Sequence, residues 1–304
     1  MTLPAHVTVK EVGPRDGLQN DASFVETEDK VAWIEQMIDA GAAYIECTSF
    51  VHPKWVPALK DHQELMQMFK RRPGVTYAAL VPNMKGLEGA LRSGVDEVSV
   101  FMSASETHNQ KNINKTIAET HPVLEEVIRE AKAAGCSVRA YISTAFACPY
   151  EGTMAPETVL KAVDPLLEAG INELSIGDTI GAAAPLEVDT ALKQWVQHVP
   201  KEQIAMHFHD TRGTALANVY AALQQGVTTF DAAGAGLGGC PYAPGAGGNL
   251  ATEDLLYFLH RQGIETGMDE AAYLEAAEFI LPRTTNAAPG KVLLASRGEK
   301  EAKL

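Results

Sequence analysis

The stretch AMHFHD, residues 205–210, sets two histidines one residue apart inside an apolar run. In an extended strand residues i and i+2 share a face, so His207 and His209 look one way and Phe208 the other. Two neutral imidazoles and one carboxylate make a facial ligand set for a divalent metal, with positions left open for water or substrate. A single buried histidine is more often a hydrogen-bonded core residue, but two on one face, followed by an acid, point to ligation. Asp16, in EVGPRDGLQN, is the carboxylate that can complete the set if the fold brings the ends of two strands together. The same segment holds Glu11 and Arg15, YIECTS carries Glu46, and LSIGDT ends on Asp178. For Glu11 and Glu46 two readings stand side by side: a buried carboxylate paired with an arginine, which offsets its desolvation, or a functional group.

The segment GAGLGGCPYAPGAGGNLATEDL supplies a further candidate. Gly234, Gly236 and Gly239 match the GxGxxG spacing of a dinucleotide site, but that fingerprint opens a helix on its third glycine. Here Cys-Pro-Tyr-Ala-Pro-Gly follows and the helix is expected only near Asn249, so the dinucleotide reading is rejected. The glycines instead describe a loop with wide backbone freedom that carries Cys240 over the site. A cysteine there lacks the core environment that usually explains one, which favours an acid/base role over an apolar filler. Asn249, at the expected helix start, either caps that helix or offers its amide oxygen to the metal.

These residues need a scaffold that gathers strand ends. Short apolar strands alternate with amphipathic helices along the chain. Strands are expected at 7–12, 43–49, 75–81, 96–103, 137–147, 172–179, 203–210 and 227–236. Helices are expected over 28–41, around 58–71, over 84–94, and from about 115, 156, 185, 214 and 249. Gly41, Gly94, Gly135, Gly170 and Gly226 fall where a left-handed residue would end a helix and release the chain into the next strand. About eight βα units without a composition break predict a closed (β/α)8 barrel, a TIM barrel, over an open doubly wound sheet. One catalytic domain over 1–304 is expected, with a helical extension from about 265 that holds MDEAAYLEAAEFI and a polar tail. In such a barrel the chemistry gathers at the C-terminal ends of the strands, where His207 and His209 lie.

Composition narrows the partners. A formal net charge of -14 argues against a nucleic-acid or anionic-membrane binder, which needs a basic face. An anionic substrate would therefore need a metal or a few placed cations. Four cysteines without CxxC spacing suit a reducing compartment, and no apolar run approaches the roughly 20 residues of a membrane span. Strand-like sequence begins by Val7, so no leader is expected and the cytoplasm is the expected location.

The motifs EVGPRDGLQN, IECTSFVHPKWVPAL, LSIGDTIG, HFHDTRGTALAN and GLGGCPYAPGAGGNLATEDL together resemble the 3-hydroxy-3-methylglutaryl-CoA lyase family of metal-dependent TIM-barrel carbon-carbon lyases. The resemblance runs over nearly the whole chain. It implies metal ligands at Asp16, His207, His209 and Asn249, catalytic residues at Arg15, Asp16, Glu46, His207 and Cys240, and supporting roles for Glu11 and Asp178. It further implies Mg2+ or Mn2+, an acyl-CoA thioester substrate and a homodimer. The implied reaction is a retro-Claisen cleavage to acetyl-CoA and a keto acid such as acetoacetate. Two stretches depart from the family's usual residues: Asp21 to Phe24 (DASF), where an acid and a lysine are common, and DAAG before AGLGG, where SSV-like residues are common. Both are expected near the mouth and leave open a related substrate such as citramalyl-CoA. His52-Pro53-Lys54 is a further mouth segment that could touch CoA phosphates. Rival readings are an isopropylmalate-synthase-like condensing enzyme, whose relatives carry a further C-terminal region, and a non-catalytic metal-binding scaffold.

Overall fold

A computed structural model describes residues 3–239, 248–285 and 289–302. The eight expected strands form as β1 (Thr8–Glu11), β2 (Tyr44–Ser49), β3 (Thr76–Leu80), β4 (Glu97–Ser103), β5 (Ser137–Ser143), β6 (Glu173–Asp178), β7 (Ile204–Phe208) and β8 (Thr229–Ala232). Each pairs in parallel with its sequence neighbours, and β8 closes on β1. That is a TIM barrel, and its strands are buried almost throughout, as a sheet covered on both faces requires.

The wall of helices follows the expected order: α1 (Thr27–Asp39), α2 (His62–Met68), α3 (Met84–Arg92), then α4 (Glu106–Ile113) and α5 (Ile117–Ala133) in tandem. After these come α6 (Pro156–Glu168), α7 (Pro185–Trp195), α8 (Ala215–Gln224), α9 (Thr252–Arg261), α10 (Glu270–Ile280) and α11 (Lys291–Glu301). Local chemistry sets the boundaries. Ser105 and Thr116 cap α4 and α5, the latter with Glu119 in a reciprocal capping box, and Pro156 and Pro185 open α6 and α7. All five helix-ending glycines have positive φ. At Gly41, with φ 96°, a Cβ would also lie 2.4 Å from the Gly267 carbonyl oxygen, so the close approach of two chain segments requires glycine twice over.

Three expectations change. The fifth strand stops at Ser143 because Thr144 takes a left-handed conformation (φ 59°), and residues 147–148 pair instead with 152–153 in a small antiparallel hairpin. α4 was not expected. The polar tail is helical, tied down where Asp254 accepts from the Lys291 and Val292 backbone N–H groups at 2.9 and 2.7 Å and where Leu293 is buried.

The lumen of the barrel is unusual for its charge. Lys10 reaches Glu173 at 2.9 Å and Glu97 at 3.4 Å, and Arg139 reaches Glu173 at 2.6 Å and Asp231 at 2.5 Å. Tyr44 donates to Glu97. Inward-facing positions that usually hold branched apolar residues therefore carry alternating cations and anions. Such pairs add little net stability but strongly penalise any alternative packing that leaves one partner alone.

Candidate active site

The chain leaves β1 in one wide helical turn, Gly13–Gly17, in which the N–H groups of Asp16 and Gly17 both return to the Val12 carbonyl, at 2.7 and 3.3 Å. That turn lifts Arg15 and Asp16 onto the C-terminal rim. His207 lies in β7 and His209 just past its end. The Nε2 atoms of the two histidines lie 3.2 Å apart, and Asp16 Oδ2 lies 3.9 Å from His207 Nε2. One donor atom from each of the three residues falls within 4.8 Å of the other two. Adjacent ligands on an octahedral ion with bonds of 2.0–2.1 Å sit about 3 Å apart, so the imidazole spacing fits a small divalent cation.

Asn249 joins them by a route the sequence did not suggest. It does not begin a helix: α9 starts at Thr252 with Ala251 before it. Residues 248–250 instead run antiparallel beside the end of β7, through Asp210 N–H to the Gly248 carbonyl (3.0 Å) and Leu250 N–H to the Phe208 carbonyl (2.9 Å), which sets Asn249 opposite His209. The Asn249 amide nitrogen donates to Asp16 Oδ2 (2.8 Å) and the Leu237 carbonyl (3.0 Å), while its buried Oδ1 has no hydrogen-bond partner among the described residues. A buried amide oxygen without a donor is costly unless a cation uses it. Gly238 permits the arrangement: with φ 102°, it has only 2.5 Å between a would-be Cβ and the Asn249 amide nitrogen.

Arg15 lies between two carboxylates, with Nε 2.6 Å from Glu46 Oε2 and Nη1 2.5 Å from Asp16 Oδ1. Burial opposes ionisation of Asp16, but Arg15, helped by His207 and His209, outweighs it and holds the carboxyl at about 2. Glu46 is fully buried and also accepts from the Tyr141 hydroxyl at 3.0 Å. Its pairing with an arginine is the structural alternative considered above, and both of its partners, Arg15 and Tyr141, line the cavity. Asp231, not anticipated, accepts at Oδ2 from Ser175 and lies 3.1 Å from His207 Nδ1. Its sequence signal was an acid in an otherwise apolar strand.

Glu11 departs from expectation. Among the described residues it meets no arginine, and instead accepts from the N–H groups of Gly13 (2.7 Å) and Gly234 (3.1 Å) and the hydroxyls of Thr252 (2.8 Å) and Tyr273. Burial dominates these donors and raises its pKa. Asp178 accepts from the Ala182 and Ala183 N–H groups, both at 2.9 Å, and closes its own loop; burial raises its pKa too. Both acids support the rim from behind. Cys240 lies outside the described residues.

The cluster opens into a cavity of about 790 Å³ whose lining includes Arg15, Asp16, His207, His209, Tyr141 and Gly239. His52 and Trp55 also line it, whereas Lys54 does not. A protein-family model described as HMGL-like matches residues 6–280. The chain belongs to this family. Hydroxymethylglutaryl-CoA lyase YngG of Bacillus subtilis (strain 168) is 53% identical over 293 residues, 96% of this chain and 98% of that protein. A crystal structure of the B. subtilis HMG-CoA lyase superposes with a TM-score of 0.95 at 52% identity, covering 98% of this chain and 100% of that one. An HMG-CoA lyase from Acinetobacter baumannii, solved in complex with coenzyme A and 3-methylmalate, matches with a TM-score of 0.92 at 35% identity over 97% of both chains. Within the HMGL-like family, then, the donors that converge here lie at the mouth of an ordinary barrel of the kind. Among the described residues no helix is long and apolar enough to cross a membrane.

Proposed function

We propose that this chain is a divalent-metal-dependent carbon-carbon lyase that cleaves 3-hydroxy-3-methylglutaryl-CoA to acetyl-CoA and acetoacetate. The observation that carries the reading is the convergence of Asp16, His207 and His209 at a large cavity beside a doubly held arginine, with Asn249 bonded to Asp16 and its buried oxygen without a partner among the described residues. Kinship with proteins named for this activity supports it.

Mg2+ or Mn2+ held by these four residues would make the substrate's tertiary hydroxyl easier to deprotonate and fix its direction. The rest falls to the chain. Asp16 takes the hydroxyl proton while the adjacent carbon-carbon bond breaks and that bond's electron pair moves onto the thioester as an enolate; His207, the other candidate base, would have its one lone pair engaged by the metal. Arg15, already oriented by Glu46 and Asp16, donates to the enolate oxygen, with no reorganisation needed at that moment. Cys240 gives the enolate carbon its proton, which completes acetyl-CoA. The same reading places the enzyme in the cytoplasm as a homodimer.

The alternative thioesters lose one support. None of residues 21–24 or 231–234 is among the described residues lining the cavity. Asp21 ties Ser23 to Thr285, and Gly234 packs where a Cβ would meet the Trp33 ring at 3.0 Å and the Tyr273 hydroxyl at 2.9 Å. Both stretches still lie near the mouth, because Asn20 beside the first lines the cavity and Asp231 of the second lies 3.1 Å from His207.

Incubating the purified protein with Mg2+ and a panel of 3-hydroxyacyl-CoA thioesters tests the proposal. Acetyl-CoA release is expected from 3-hydroxy-3-methylglutaryl-CoA and is expected to stop with chelator. Release that survives chelation would discard the metal role, and silence with every thioester would favour a scaffold.

A further inference from the structure

We infer that Asp231, itself fixed by Arg139, is the positioning residue that turns the Nε2 lone pair of His207 toward the metal by holding the proton of that ring on Nδ1. The inference rests on the metal reading above and adds to it a residue that never touches the ion.

The geometry is set by neighbouring strands. Asp231 of β8 stands in register with His207 of β7, and its Oδ2 lies 3.1 Å from Nδ1. The opposite ring nitrogen, Nε2, faces His209 and Asp16. A neutral imidazole carries one N–H and one lone pair, and a carboxylate can only accept, so an N–H at Nδ1 leaves the lone pair at Nε2 for a metal. Hydrogen bonding of this kind on the far nitrogen is how proteins orient ligating histidines.

Asp231 cannot turn away. Arg139 Nη2 donates to Oδ1 at 2.5 Å and the Ser175 hydroxyl donates to Oδ2 at 2.9 Å. Arg139, fully buried, is held in turn by Glu173 at 2.6 Å and donates to the Tyr141 hydroxyl at 2.7 Å. Tyr141 donates onward to Glu46, Glu46 accepts from Arg15, and Arg15 donates to Asp16. A continuous circuit of hydrogen bonds, whose donors converge on Asp231 and Glu46, thus links the far side of His207 to the carboxylate on its near side. The metal ligands and the arginine are set by one network.

The circuit makes a sharp prediction for Asp231→Asn. Arg139 can only donate, so it must keep the amide oxygen at the Oδ1 position. The amide NH2 is then forced toward Ser175 and His207. Ser175 can accept one proton, but the other must be accepted by His207 Nδ1, which moves the ring proton to Nε2 and closes the metal position. The substitution changes almost no volume.

Long-range 1H–15N spectra of the metal-free protein with 15N-labelled histidine, recorded where His207 is neutral, read the tautomer directly. The wild type is expected to carry the proton on Nδ1 and Asp231→Asn on Nε2. Mn2+ binding, followed by the electron paramagnetic resonance of free ion, is expected to weaken about 10–100-fold in Asp231→Asn, with the circular dichroism spectrum unchanged. A wild-type proton on Nε2 would overturn the inference without any variant, so it stays testable if Asp231→Asn fails to fold. It is also overturned if the wild type binds Mn2+ and Asp231→Asn binds it equally well. A wild type that binds no Mn2+ would instead overturn the metal reading on which the inference rests.

Discussion

Two groups of carboxylates lie close together at the C-terminal end of this barrel, and they are satisfied by different means. Asp16, Glu46 and Asp231 each meet a guanidinium, from Arg15 or Arg139. Among the described residues, Glu11, Asp178 and Glu253 hydrogen-bond to N–H and O–H groups and pair with no guanidinium. Asp16 and Asp231 are pushed below the usual carboxylate range because the paired cation overcomes burial, whereas the other group is raised because burial overcomes the dipoles. Glu11 and Asp16 are only five residues apart on one segment. Proximity in sequence does not decide the role; the charge of the partner does. Acids paired with arginine gather at the candidate site, and acids satisfied by dipoles fasten the loops around it.

The largest effect is expected from breaking an arginine pair. Arg15→Lys keeps the positive charge but cannot reach Glu46 with one nitrogen and Asp16 with another in the same plane. Loss of a preorganised donor at a developing oxyanion lowers kcat by about 10²–10³-fold, while Mn2+ affinity, measured by calorimetry, is expected to change much less. Equal losses in both would move Arg15 from the chemistry to ligand support.

A smaller effect is expected on the other side of the comparison. Glu11→Gln leaves a buried amide where four donors converged, so hydroxyls must turn and one N–H or O–H contact is lost. That costs about 1–3 kcal/mol of stability, read from urea unfolding, with kcat at saturating metal nearly preserved. A collapse of kcat in a variant of wild-type stability would place Glu11 in the reaction and erase the division drawn here.

The parts of this arrangement differ in how far the sequence exposes them. Strand and helix periodicity announces the barrel, and the i, i+2 histidines announce a shared face, because both are local patterns. Asp231 and Arg139 escape such reading. Each is the single charged residue of its strand, and their meaning depends on register, which places Asp231 beside His207 and Arg139 beside Glu173. A search for strands with a single charge would have found Arg139 and Asp231, though not their partners Lys10 and Glu173, whose strands carry a second charge. Asn249 was misplaced for a related reason. Its antiparallel run beside β7 is a tertiary pairing with no local signature, whereas asparagine before a helix has a familiar one. The helical tail likewise depends on Asp254, 37 residues before the N–H of Lys291 that it accepts.

The subtlest test of the comparison lies at Glu253, where burial, with Asp254 and Glu11 adding to it, raises the carboxyl to about 8. Its Oε2 accepts from Ala235 N–H at 3.0 Å, and its Oε1 has no partner among the described residues, as suits a protonated oxygen. The sign follows from linkage. Below the ordinary carboxylate pKa both folded and unfolded chains hold this proton, and the group's contribution is fully present. As pH rises past that value the unfolded chain releases its proton first, so stability declines until the folded carboxyl also ionises near 8. Glu253→Gln has no such proton to lose. Between pH 5 and 8 its unfolding free energy should therefore fall less than that of the wild type, by roughly 1 kcal/mol or more. Parallel curves would mean that Glu253 titrates in the fold as it does in the unfolded chain, which would remove it from the group raised by burial.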